Sequence, residues 1–217
     1  MRSSLEHYNL WRRSILQRHD IDPQNLDFTF SKDLIRFVLY EYCPDLRWEP
    51  TDIFSESDNN SFTPVVKLAV QTYFNAAKHN ASSYVVHVFM NGKECYKAHQ
   101  VLCINFRHIL LRRPMSIESF LAYLYLVSTS TAYAYFNSSD TTSCSVYTIY
   151  KTIVRMRQLT MITDTFWTDF ARECEASLIT GTLTESPSIR YFVTPIIEDN
   201  RIETVYQSNT GNCYWIN

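Results

Sequence analysis

Tyr84-Val85-Val86-His87-Val88-Phe89-Met90-Asn91-Gly92-Lys93-Glu94-Cys95-Tyr96-Lys97-Ala98-His99 is the stretch on which the fold turns. Its first half is β-branched and aromatic, the composition of a strand. Asn91-Gly92 supplies the positive φ angles that a two-residue hairpin turn demands. Lys93 to His99 then returns antiparallel, with Met90 opposite Lys93 and Val88 opposite Cys95. The reading is a central β-hairpin around 84–99.

On both sides the apolar spacing is helical. Leu5, Tyr8, Trp11 and Ile15 share a face, predicting a helix over 5–18 that Asp22-Pro23 closes off. A second is predicted over 31–42, stopped at Cys43-Pro44. Residues 44–63 are acidic and aperiodic, and read as a mobile polar loop. Thr63-Pro64 starts a third helix, over 64–79, with proline at its first position. Further helices are predicted over 116–135, 141–160 and 164–179, the last stopped at Gly181. Residues 188–217 hold three short β-like runs, including Cys213-Tyr214-Trp215-Ile216. The expected fold is therefore a single compact domain over 1–217. Its class is α+β, predominantly helical, with about six helices, a central hairpin and a C-terminal β segment.

Residues 119–139 carry no charge. Their length suits a membrane span, but Ser128-Thr129-Ser130-Thr131 and four tyrosines make the stretch too polar. A central buried helix is the better reading, and membrane insertion is not expected.

Composition excludes more than it offers. Three glycines in 217 residues, against about 15 at average usage, leave no glycine-rich phosphate loop and no nucleophile elbow. Net charge is −2 and the isoelectric point about 6.3, so no global field draws the chain to nucleic acid. Six cysteines without a C-x-x-C pair, behind an N-terminus with no apolar signal region, suggest a reduced intracellular protein, cytoplasmic or nuclear.

Cys95, His99 and Cys103 are spaced as C-x3-H-x3-C. On a helix these would align, and sulfur and nitrogen ligands suit zinc. On the hairpin strand Cys95 and His99 would lie about 13 Å apart, too far for one ion. No metal site, cofactor or catalytic residue is therefore assigned. Val86-His87-Val88 followed by Tyr96-Lys97-Ala98-His99-Gln100-Val101-Leu102 resembles the strand–turn–strand–helix core of BTB/POZ domains. Relative to that pattern one residue is missing between His99 and Val101 and the following Ser–Phe landmark is absent, so no role is carried over from the family.

Three basic groups stand out: Arg12 and Arg13 on the first helix; Arg107, Arg112 and Arg113 before the uncharged stretch; Lys151 and Arg155, one turn apart, with Tyr147 one turn earlier. Arginine forks match phosphates, and tyrosine faces can stack unpaired bases. Convergence of the three groups would form a groove for single-stranded RNA. The leading expectation is a non-enzymatic structural or interaction protein, a homo-oligomer or a binder of a protein partner, of the kind that serves as a viral matrix, capsid or nucleoprotein component. Single-stranded RNA binding through those residues is the alternative. A thiol- or zinc-dependent enzyme built on Cys95, His99 and Cys103 is the third.

Overall fold

The computed structural model describes residues 21–50, 54, 61–90 and 95–184, with the backbone alone over 79–90. Among the described residues there are six α-helices and no strand. They are α1 (Leu26–Arg36), α2 (Pro64–Met90), α3 (Cys95–Leu111), α4 (Ile117–Phe136), α5 (Thr142–Gln158) and α6 (Phe166–Thr180). Over these residues the fold is helical rather than α+β, and the central hairpin is not supported.

The hairpin expected around 84–99 is not formed. Tyr84 to Met90 is the last part of the 27-residue α2, and Cys95 to His99 is the first turn of α3. Two effects explain the reversal. A helix nucleated at Pro64 propagates at little cost per residue, and a β-branched or aromatic residue forfeits only about 0.5 kcal/mol of helix propensity. Beyond the Asn-Gly pair, burial decides. Ala98, His99, Leu102, Cys103, Phe106 and Leu110 are all buried at three- and four-residue spacing, a helical stripe that the short alternation had masked. The BTB/POZ-like pattern loses its strands with the hairpin. Asn91-Gly92, the expected first helix over 5–18 and the β-like runs over 188–217 lie outside the described residues.

Several boundaries follow local chemistry. Asn25 caps α1, its side chain accepting from the backbone N–H groups of Asp27 and Phe28 at 2.9 and 3.3 Å, so the helix starts five residues before the sequence reading had it. It continues as a π-helical turn, Phe37–Tyr42, in which Cys43 N–H reaches back to Val38 O. Ser116 and Ser119 form a reciprocal capping pair at the start of α4. Gly181 ends α6 with φ of 74°. Within the expected polar loop, Trp48 and Phe54 are buried and meet edge to face at 5.1 Å.

The centre of the molecule is α4, packed by α2, α3, α5 and α6. Twelve of its twenty residues are buried, on every side of the helix, as the uncharged run that begins at Ser119 demands. No described helix is long and apolar enough to cross a membrane. Phe120 leads into an aromatic cluster with Phe30, Phe166, Trp167 and Phe170. The opposite flank of α4 is lined with hydroxyls and meets α3 and α5.

One ion pair ties α1 to this body. Arg157, at the end of α5, donates to both carboxylate oxygens of buried Asp27 at 2.8 and 2.9 Å. The Trp167 indole N–H donates to the same carboxylate at 2.8 Å. Three elements remote in sequence thus share one buried anion.

Candidate functional site

The groups best able to carry chemistry lie on the α3–α4–α5 interface. Because 95–111 is a helix, Cys95, His99 and Cys103 do fall on one face, the arrangement the sequence reading had discounted. His99 is fully buried and held at both nitrogens: Nδ1 lies 2.8 Å from Ser130 Oγ of α4, and Nε2 3.0 Å from Ser145 Oγ of α5. Ser145 donates its own proton to Thr141 O at 2.9 Å, and Thr131 Oγ1 sits 2.7 Å from it while donating to Val127 O. A neutral imidazole has one N–H donor and one acceptor nitrogen, so the two serine contacts together satisfy both ring nitrogens.

Cys103 Sγ lies 3.4 Å from His99 Nε2. This is not an activated thiol. Burial pushes its pKa well up, with the Thr148 hydroxyl opposing only in part. Burial also lowers His99 to about 3, against a small opposing effect from Ser130. A nucleophilic cysteine requires the reverse, a thiolate beside an imidazolium. The seam continues through Tyr123, whose hydroxyl meets Thr152 Oγ1 at 2.8 Å, and Thr152 bonds Thr148 O. Among the described residues no group of three or more histidine, cysteine or carboxylate side chains is placed to hold a metal ion.

The buried partners of His99 were not singled out in the sequence, although a signal was there. Thr141, Ser145, Thr148 and Thr152 recur at spacings of four, three and four. That is one face of a helix, and each of these four is buried.

The predicted basic residues are distributed differently. Arg12 and Arg13 lie outside the described residues. Arg107 lies on α3, and Lys151 and Arg155 lie on α5, which packs against it. His99 meets Ser145 near the start of both helices and Cys103 meets Thr148 one turn further on, so the two advance in the same direction. The Arg107 guanidinium is near enough to Tyr147 and Tyr123 to oppose the upward pull of burial on both phenols. Tyr147 is still raised to about 12. Its ring is 3% exposed and has the Lys151 ammonium 5.5 Å above its centroid, so it offers no free face for a base. Arg112 and Arg113 follow the end of α3, and Arg155 bonds Gln158.

A cleft of about 210 Å³ opens where Met115 and Ile117 meet Ile162 and Phe166, with Asp169 and Glu173 at its rim. It falls short of the 300–1,000 Å³ typical of small-molecule sites. Comparison with protein-family models, with curated proteins and with solved structures finds no match to this chain.

Proposed function

We propose that this is a non-enzymatic interaction protein, working by self-assembly or by binding a protein partner. The observation that carries the reading is the exposure of large apolar side chains on an otherwise well-filled helical body. Phe136 is 75% and Ile179 80% exposed, and Leu68 and Tyr40 are each about half exposed. Burying one such side chain in a partner's surface contributes about 1.5–3 kcal/mol, enough that two or three set an affinity. His99, Cys103 and their serine partners are instead held between α3, α4 and α5 as neutral, mutually bonded groups.

Size-exclusion chromatography with light scattering tests the proposal. A defined multimer, or a stoichiometric complex with a co-purifying protein, is the expected result. Phe136→Ser and Ile179→Ser should each shift it toward monomer without changing helicity. A clean monomer whose behaviour is unaffected by both substitutions rejects the reading.

A further inference from the structure

The described ion pairs are made by Lys32, Arg36, Lys67, Arg157 and Arg172. None involves Arg107, Arg112, Lys151 or Arg155. The reason is in the sequence: neither α3 nor α5 contains a single aspartate or glutamate, although the whole chain has 22 acidic residues against 20 basic ones. Two neighbouring parallel helices without a carboxylate carry Arg107, Lys151 and Arg155, and Arg112 follows the end of α3; no described carboxylate neutralises any of the four. Arg112 and Arg155 are exposed, and Arg107 and Lys151 partly so. Along α5 the charges recur once per turn, about 6 Å apart. In a protein with net charge −2, a pair of adjacent helices bearing cations that no described carboxylate neutralises is suited to meet an anion.

We infer that the α3–α5 face, through Arg107, Arg112, Lys151 and Arg155, binds the phosphodiester backbone of a nucleic acid without reading its bases. The inference rests on the interaction reading above and names a further partner for it. Several cations without a described carboxylate partner, two of them one helical turn apart, suit a polymer that carries a charge on every unit. Arginine forks suit phosphate oxygens. An acidic protein is the weaker fit, because protein interfaces are anchored on exposed aromatic groups near their centre, and the ring on this face, Tyr147, is buried beneath Lys151. For the same reason bases find no stacking platform there, so recognition is confined to phosphates.

Fluorescence anisotropy of labelled oligouridine with the full-length protein tests this. Four phosphate contacts on a single strand predict a log–log salt slope of about −3, a loss of roughly fifty-fold in affinity between 50 and 200 mM salt. Oligoadenosine of the same length should bind within about threefold of oligouridine, since no base is read. Duplex RNA is the second source of the same chemistry. Binding of either form supports the inference, and their relative affinity assigns the source. The combined variant Arg107→Gln, Arg112→Gln, Lys151→Gln, Arg155→Gln should retain its circular dichroism and lose both the binding and the slope. Arg172→Gln, which removes a cation already paired with Asp169 on α6, should change neither. Absence of binding at 50 mM salt, equal binding of poly-glutamate, or a slope unchanged in the combined variant overturns the inference. A multimer persisting through any of those results leaves the interaction reading standing.

Discussion

Lowering the pH from 7 to 5 should destabilise this protein through His99. The folded ring is held neutral with a pKa of about 3, because it is fully buried, while the unfolded ring titrates near 6.5. A group whose folded pKa is depressed contributes stability above its unfolded value and loses it as the pH falls toward the folded value. Between about 6.5 and 3 the unfolded chain takes up a proton that the folded chain refuses, costing about 1.4 kcal/mol per pH unit. The loss from pH 7 to 5 is about 2 kcal/mol, against a total stability of 5–15 kcal/mol for a domain. The other titratable group against the ring, the Cys103 thiol, is pushed up by burial and stays protonated throughout. Stopping at pH 5 keeps most carboxylate titration out of the measurement. Denaturant titrations followed by helical circular dichroism at pH 7, 6 and 5 give the loss directly. His99→Gln should be less stable at pH 7, since its amide cannot span Ser130 and Ser145 as the ring does, but nearly flat from pH 7 to 5. If His99→Gln fails to fold, proton NMR of the wild type serves instead, and the His99 ring should not titrate above about pH 4. A wild-type loss below about 0.5 kcal/mol, a variant with the same slope, or a ring titrating near 6.5 refutes the reasoning.

Asp27→Asn should destabilise the fold by about 2–4 kcal/mol, somewhat under the value for a fully dry pair because the Arg157 side chain is 27% exposed. Chemical denaturation gives the number, and Trp167 fluorescence should shift as its N–H loses an ionised acceptor. Toward a thiol reagent at pH 8, Cys103 should be silent in the folded protein, while Cys43 and Cys95, both only partly buried, should react. Mass spectrometry of the labelled peptides reads this, and prompt modification of Cys103 would contradict the burial argument.

What the sequence disclosed was mainly period and caps. The helices expected over 116–135, 141–160 and 164–179 were recovered to within two residues at either end, because each has a sustained apolar face and a stop such as Gly181. The 84–99 stretch misled because its two strongest local signals, β-branched residues and Asn-Gly, are worth tenths of a kilocalorie each. The Ala98–Leu110 stripe buries six side chains worth far more. The reach of α2 to Met90 was hidden for a related reason: nothing between Pro64 and Gly92 breaks a helix. The ion pair between Asp27 and Arg157 joins positions 130 residues apart, and no local pattern encodes such a distance.

The misread hairpin also explains why the cysteine–histidine motif looked inert for the wrong reason. On a strand it failed by distance; on α3 its members are aligned, and it fails by environment. His99 and Cys103 sit where α4 and α5 bring hydroxyls rather than charges, so both are locked in their neutral forms. A single buried aspartate at position 130 or 145 would raise the imidazole pKa and draw the pair toward an ionised state. Serine at both positions does the opposite: it satisfies the ring without charging it. Spacing alone cannot tell a reactive pair from a packed one. The residues that tell them apart lie 31 and 46 positions away, on other helices.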